Sequence, residues 1–129
     1  QYGWMVPQNV GGLIAARGGE AKVSAELDEH LSQLDAGVYG TKGAYLSNQP
    51  SFSTPYVYNW LRQPAKTGDT LRRATSEMYG TGPDGLPGND DLGALSAWYV
   101  WANLGLSPTI YGTANLVLSA PLFDKVTIR

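Results

Sequence analysis

The chain has 129 residues, a formal net charge of −2 and no cysteine. This length suits one domain or part of one, and a composition of 43% hydrophobic and 16% charged residues indicates a globular chain. The lack of a basic cluster argues against nucleic acid or an anionic membrane surface as a partner. No apolar run is long enough to span a membrane, no signal peptide is visible, and thiolate chemistry is excluded.

Both ends of the sequence suggest a piece of a larger protein. The chain begins with QYGWMVP, which is apolar and aromatic from its second residue, whereas a natural N-terminus is usually polar. It ends with DKVTIR, a strand-like alternation that stops in mid-pattern. We therefore expect residues 1–129 to be a single fragment of one domain.

Hydrophobic spacing predicts two helices in the first part of the chain. Pro7 opens a short helix, which Gly18-Gly19 ends. Apolar residues at three- and four-residue steps predict an amphipathic helix from Glu20 to Ala36, which Gly37 ends. His30 is expected to face solvent and is assigned no role, and the neighbouring acids of this helix are interpreted as a solvated face: Glu26, Asp28 and Glu29.

The middle of the chain predicts a long loop and two further helices. Residues 37–53 are rich in Gly, Tyr, Asn and Pro, and loops of that length are usually functional or disordered. A third helix begins near Pro55 and is broken by Pro64. A fourth helix is expected to be capped by Thr67 or Asp69.

The stretch DGLPGNDDLGALSAWYVWANLG, residues 84–105, joins a polar Gly/Pro loop to a strongly apolar run. The run predicts a helix from about Asp91 to Leu104, and because it is apolar all round we expect it to be buried on all sides. Two short strands are predicted after it, at residues 115–118 and 125–128.

The predicted fold is mainly α, with consecutive helices packed as antiparallel hairpins. Residues 1–106 are expected to be helical, and residues 107–129 to form a short β tail.

Asp90 and Asp91, at the start of the fifth helix, allow two interpretations. Acids at a helix start accept hydrogen bonds from free backbone N–H groups and are favoured by the helix dipole, so both can be ordinary caps. Alternatively, one of them is a general base that activates water, since a helix N-terminus favours the ionised carboxylate that a base requires. The two interpretations are compatible, because capping would also fix the geometry.

Other candidate residues also have a structural and a functional interpretation. Asn48 and Gln49 offer oxygen donors typical of a calcium or sugar site, although an Asn-Gln-Pro sequence is more often a simple turn. Several aromatic residues are candidates for a surface that stacks on sugars, although aromatics at helical spacing are usually core. These residues are Trp4, Trp98, Trp101, Tyr45 and Tyr56.

The chain resembles glycoside hydrolase family 92, the calcium-dependent, inverting exo-α-mannosidases, in several long segments. They are PGNDDLGALSAWYVWANLGLSP, YLSNQPSFSTPYVYNWLRQPAKT upstream and SAPLFDKVTI downstream. QYGWMVPQNVGGL near the start is similar to the family's segment just after its catalytic acid. The resemblance covers the full chain in collinear order.

The resemblance implies the C-terminal part of an (α/α)₆ toroid whose last helix pairs lead into a β segment. It maps the general base to Asp91, with Asp90 beside it and Asn89 where some members have an acid. The base would deprotonate a water that attacks the anomeric carbon of an α-mannoside, with the two carboxyls roughly 6.5–9.5 Å apart. It also implies a calcium ion that contacts the 2- and 3-hydroxyls of mannose. Trp4, Trp98, Tyr45 and Asn89 are our candidate substrate contacts.

Two departures from the family pattern matter. The family's calcium loop usually reads G-N-E-P with the Glu as a ligand, whereas this chain has Ser47-Asn48-Gln49-Pro50, so we expect weakened calcium binding at Asn48 and Gln49. The family's general acid is the Glu of an E-G-N-x-x-Q-Y segment, and Gln1-Tyr2 match the end of that segment. We therefore expect the acid to lie outside this chain, which by itself should be nearly inactive.

Two functions follow as hypotheses. The first is a part of an α-mannosidase that contributes the base and the calcium loop, with the remainder of the catalytic domain and an α-mannoside glycan as partners. The alternative is a non-catalytic helical module that binds carbohydrate or protein. A piece of a toroid would expose barrel contacts and is expected to self-associate. Because family members are commonly exported, we expect secretion or a periplasmic location in a bacterium.

Overall fold

The computed structural model describes residues 1–38 and 42–129. The predicted loop at residues 37–53 lies partly outside the described residues. As predicted, the described chain is mainly helical with a short β segment. Its α-helices and strands are α1 (Val10–Ala16), α2 (Glu20–Leu31), α3 (Val57–Trp60), α4 (Pro64–Glu77), α5 (Ala94–Leu104), β1 (Leu106–Ser107) and β2 (Val117–Leu118).

Helix α2 ends at Leu31, well before the predicted end at Ala36. After the helix, the chain pairs with the segment that returns from the loop: Ala36 N–H donates to the Ala44 carbonyl at 2.7 Å. Leu34 nevertheless stays buried, as its place in the apolar stripe predicts. A long-range backbone pairing therefore replaces the last turn of the predicted helix.

The prediction that His30 faces solvent is wrong. Its side chain is only 6% exposed, and its ring lies 5.7 Å from that of Trp4. Nδ1 of His30 lies 2.6 Å from the Lys42 carbonyl oxygen, and burial lowers the pKa of the imidazole. The N-terminal segment, which local periodicity ignores, covers this face of α2.

Pro64 begins α4 instead of breaking a helix. Proline is tolerated in the first turn because its missing N–H would have no helical partner there. Thr67 consequently lies inside the helix, where its hydroxyl donates to Asn59 Oδ1 at 2.7 Å. Neither Thr67 nor Asp69 caps the helix, and Gln63 occupies the N-cap position.

Helix α5 begins at Ala94, later than the predicted start near Asp91. Asp91, Leu92 and Gly93 all have positive φ angles, of 44°, 62° and 86°, so these residues form a left-handed turn before the helix. The prediction of burial on all sides is wrong for the described chain, because Tyr99 is 38% and Val100 53% exposed. The opposite face is buried and carries Leu95, Trp98 and Ala102.

The β segment is a two-stranded antiparallel pair in which Leu106 faces Leu118 and Ser107 faces Val117. The predicted strand at 115–118 is confirmed in its last two residues, whereas 125–128 forms no strand. The partner strand instead follows Gly105 directly, where a φ of 75° turns the chain out of α5. A side chain at Gly105 would meet Pro121 N at 2.7 Å, so this turn packs directly on the returning backbone.

The buried apolar side chains form one cluster to which all five α-helices contribute. Helix α4 packs against both α3 and α5, and α1 packs against α2 and α3. Among the described residues, no helix has the length and apolar character needed to cross a membrane.

Candidate active site

Two loops that are far apart in sequence meet at the start of α5. One is the turn at Ser47–Pro50, and the other is the Gly/Pro loop that ends at Gly93. Gly88 makes the contact possible, since a Cβ at this position would lie 2.6 Å from the Ser47 carbonyl oxygen. The approach brings Gln49 to Asp91, with Nε2 of the amide 2.7 Å from Oδ2 of the carboxylate.

The amide nitrogen of Gln49 faces two acceptors. Besides the Asp91 carboxylate, it lies 3.5 Å from the backbone carbonyl oxygen of Asn89. An amide oxygen at this place would face two other oxygens, so the nitrogen is the end of the amide that fits. Gln49, Asn89 and Asp91, predicted separately as metal, substrate and catalytic residues, are therefore brought together.

Asp90 and Asp91 have different roles in the loop. Both carboxylate oxygens of Asp90 accept from Ser96, Oδ1 from its backbone N–H and Oδ2 from its hydroxyl, each at 2.8 Å. The Asp90 carbonyl also accepts from Ala94 N at 2.6 Å. Asp90 therefore caps α5 although it lies outside the helix. Asp91 is exposed, and among the described residues only its Oδ2 has a hydrogen-bond partner.

The cap formed by Asp90 predicts a pH-dependent stability. The Ser96 backbone N–H, and then the Ser96 hydroxyl, hold the pKa of the Asp90 carboxyl below its usual range. A depressed folded-state pKa means that the stabilisation is present above about pH 4, the ordinary value, and is lost as the pH falls through the folded pKa. Asp90→Asn, which mimics the protonated acid, should therefore lower the thermal midpoint at pH 7 and have little effect near pH 2.

Thermal unfolding of wild type and Asp90→Asn between pH 2 and 7 measures this effect. Ser96→Ala removes one of the two hydrogen bonds and should show a smaller difference with the same sign. A difference between wild type and Asp90→Asn that is constant across this pH range would contradict the capping role.

A cavity of about 380 Å³ adjoins this meeting point. Gln49 lines this cavity on the side of the acidic loop, and Trp98 and Trp101 of α5 form an aromatic wall of the cavity. A second cavity of about 350 Å³ shares part of the lining, and Gln49 borders both. The residues common to both are Met5, Gln49, Pro50, Ser53 and Tyr111. A largely apolar groove with a few polar groups at its edge is typical of a small-molecule site.

The predicted aromatic contacts have unequal access to this groove. Trp4 is buried, with the Arg17 guanidinium carbon 4.0 Å from its ring centroid, so it has no open face for a sugar. Trp98 lines the cavity but is only 5% exposed, and its indole N–H donates to the Phe52 carbonyl at 3.0 Å. Trp101 lines the cavity and is half-buried, which leaves ring surface available.

Tyr45 and Asn48 do not line either cavity. Tyr45 is half-buried and pairs by its backbone with Asp35. The Asn48 carbonyl accepts from Ser51 N–H at 3.1 Å, and Asn48 is the N-cap of a one-turn 3₁₀ helix at Gln49–Ser51. The structural interpretation of the Asn-Gln-Pro sequence as a turn is thus confirmed.

The comparison with protein families decides what this site belongs to. The model described as the glycosyl hydrolase family 92 catalytic domain matches residues 1–129. The chain belongs to glycosyl hydrolase family 92. Membership of family 92 confirms the resemblance read from the motifs.

Family 92 relatives show the same likeness in sequence and structure. An uncharacterized secreted glycosidase of Arthroderma benhamiae is 30% identical over 127 residues, which cover 98% of this chain and 15% of that protein. The family 92 alpha-mannosidase of Bacteroides thetaiotaomicron in complex with mannoimidazole matches with a TM-score of 0.80 at 31% identity, over 93% of this chain and 17% of that one.

A second structure of this Bacteroides enzyme matches with a TM-score of 0.80 at 34% identity, over 93% of this chain and 16% of that one. The chain thus spans about a sixth of the length of these family 92 relatives.

The side chains around Gln49 can be compared with the oxygen ligands that a calcium ion needs. Calcium takes six to eight oxygen ligands, usually including several carboxylates. Among the residues that the structure describes, no three His, Cys, Asp or Glu side chains gather in a way that could hold a metal. Gln49 turns its amide nitrogen toward Asp91, and a nitrogen that carries protons repels a cation. These residues by themselves do not fit a calcium ion.

Residues outside the predicted set also border the site. Met5, Thr109 and Tyr111 line the cavity of about 380 Å³; Met5 lies far from residues 84–105 in sequence, whereas Thr109 and Tyr111 follow them closely. A signal for Tyr111 was present, because it is an aromatic residue in a Pro- and Gly-flanked loop just after α5. Nothing in local periodicity indicates Met5 or Thr109.

Proposed function

We propose that the whole protein hydrolyses terminal α-mannosides with inversion and that Asp91 is the base that activates water. The observation that carries this proposal is the arrangement at the loop contact. The exposed Asp91 carboxylate is held by Gln49, which lines the aromatic groove although Asp91 itself does not, whereas both oxygens of Asp90 are occupied by Ser96. The substrate class is taken from the family 92 relative that is described as an alpha-mannosidase.

The chemistry assigned to Asp91 is proton abstraction. An ionised carboxylate accepts a proton from water as the oxygen attacks the anomeric carbon, opposite the leaving group. One oxygen of Asp91 is engaged by Gln49, and the other is available to the water. In an inverting hydrolase a second carboxylic acid protonates the leaving oxygen. We propose that this acid comes from the part of the catalytic domain outside these residues.

The remainder of the catalytic domain is also the proposed partner of the exposed face of α5. Tyr99 and Val100 are exposed on a helix whose other face is buried in the core. In the (α/α)₆ toroid that the resemblance implies, an inner helix is covered on both sides, so helices from elsewhere in the domain would cover these side chains. The same exposed face would drive self-association of the isolated chain.

Calcium remains a prediction, and the proposal for this chain is weak binding. The neutral Gln49 supplies no formal charge, and its amide is already engaged with Asp91. We derive no catalytic step through the ion. Export is proposed as well, since the Arthroderma relative is described as secreted.

Proton NMR of the reaction with an aryl α-mannoside tests the proposed function. The whole protein should release β-mannose first, and the α-anomer should appear later by mutarotation. Release of the α-anomer first would exclude inversion. Binding of the mannoside without hydrolysis would favour the alternative of a non-catalytic carbohydrate-binding module.

A further inference from the structure

The backbone of Gln49 is held in place by Pro50 and by a hydrogen bond from Phe52. Gln49 begins a one-turn 3₁₀ helix, Gln49–Ser51, in which the next residue, Pro50, restricts the backbone φ angle. Its own carbonyl accepts from Phe52 N–H at 3.0 Å, and Phe52 is buried. The Gln49 side chain therefore extends from a fixed backbone position toward the acidic loop.

The Asp91 side chain, in contrast, is exposed and has no described hydrogen-bond partner within its own loop. Asp91 is the first of the three consecutive residues with positive φ, a conformation that non-glycine residues adopt only when their surroundings impose it. The next residue, Leu92, is fully exposed and packs on nothing that the structure describes. The one described contact of the Asp91 carboxylate therefore comes from outside its own loop.

The Gln49 amide is the group that supplies this contact. A 2.7 Å hydrogen bond from a neutral amide to a carboxylate oxygen is short and charge-assisted. The same amide lies 3.5 Å from the Asn89 carbonyl, which belongs to the same loop, so one side chain contacts both the loop backbone and its acid. A calcium-ligating Glu at this position would instead place a second negative charge beside Asp91 and require a cation between them.

We propose that Gln49 is a positioning residue that orients the Asp91 carboxylate directly, with no calcium ion between the two side chains. This inference rests on the proposed function of Asp91 as the base. It is the physical consequence of the poor fit between the described donor set and calcium. The proton-donating amide of Gln49 contacts the Asp91 carboxylate directly. With a Glu at position 49, the two carboxylates would need a cation between them.

Two substitutions of Gln49 in the whole protein test the inference. Gln49→Met keeps the length of the side chain but removes the donor, and should lower kcat by about 10- to 100-fold with little change in KM, because misplaced catalytic groups slow the chemical step. Gln49→Glu removes the donor and adds the charge. Its kcat should be low in the presence of a chelator and should rise when calcium is added.

Calorimetry supplies a readout that does not depend on activity. Gln49→Glu should bind calcium at least tenfold more tightly than wild type, since the added carboxylate is the ligand that calcium prefers. The chelator should lower the kcat of wild type less than that of Gln49→Glu. Gln63→Met is the matched control, because Gln63 also makes one side-chain contact, accepting from Ser24 Oγ at 3.0 Å, but lies at the start of α4.

The outcomes separate this inference from the function on which it rests. Wild-type kcat in Gln49→Met, or a chelator effect as large in wild type as in Gln49→Glu, would overturn the role of Gln49 and leave Asp91 as the base. Unchanged activity of Asp91→Asn under the same conditions would remove the base, and the positioning role with it. Thermal midpoints of Gln49→Met and Gln63→Met that both match wild type would show that lost activity does not reflect unfolding.

Discussion

Asp91→Asn in the whole protein should lower kcat by about 10²- to 10⁴-fold, which is the usual contribution of a general base. The amide has nearly the same shape as the carboxylate and can still contact Gln49, but it cannot take a proton from water. The lost interaction exists only in the transition state, so kcat and kcat/KM should fall together while KM changes little. Steady-state kinetics on an α-mannoside measures all three quantities.

Asp84→Asn is the control for Asp91→Asn. Asp84 belongs to the same Gly/Pro loop and is exposed, and Gln49 contacts Asp91 rather than Asp84. Its substitution changes the charge of the loop by the same amount and should leave kcat within twofold of wild type. If Asp84→Asn and Asp91→Asn slow the reaction equally, the effect is one of net charge and Asp91 is not the base.

Trp98→Ala should lower the free energy of unfolding by about 3–5 kcal/mol, the range for removing a buried tryptophan. The Trp98 ring packs against Phe52 at 5.7 Å and is stacked on Tyr79 at 6.2 Å, and its N–H satisfies the Phe52 carbonyl. Its removal leaves a cavity and an unpaired buried carbonyl in the wall of the groove. Urea unfolding followed by circular dichroism measures the change.

Two further variants separate the contributions to this effect. Trp98→Phe keeps most of the ring but leaves the Phe52 carbonyl without its donor, which costs about 1–3 kcal/mol. In residues 1–129 by themselves, Val100→Ala, on the exposed face of the same helix, should change the free energy of unfolding by less than about 0.5 kcal/mol. A loss below 1 kcal/mol for Trp98→Ala would mean that this tryptophan is not part of the core and is available for substrate stacking.

Local pattern predicted the helices well where the periodicity is strong. The start of α2, its buried stripe and the end of α5 at Gly105 follow from apolar spacing and from glycines that adopt positive φ. The errors lie where long-range contacts override local preference. Helix α2 ends early because the following residues pair by their backbone with residues 44–46. His30 is buried because Trp4 of the N-terminal segment covers it.

The features of the site also separate into those that the sequence indicated and those that depend on long-range structure. The adjacent acids, the Asn-Gln-Pro turn and the family motifs are all readable in the sequence, and they were sufficient to name Asp91, Asn89 and Gln49 as candidates. The resemblance assigned the base to Asp91, but residue spacing alone did not distinguish the two acids, because their contacts depend on where α5 begins. With the start at Ala94, the Ser96 N–H and hydroxyl reach Asp90, while Asp91 points toward Gln49.

The sequence by itself determined the family, the helical class and the acidic loop, because these depend on residue identity and local spacing. Only the tertiary structure decided that Gln49 faces Asp91 with its nitrogen, since the two residues are 42 positions apart and meet through the contact of Gly88 with Ser47. Two backbones can approach this closely only when one of them carries no side chain. The predicted calcium ligand is for that reason a hydrogen-bond donor to the proposed base.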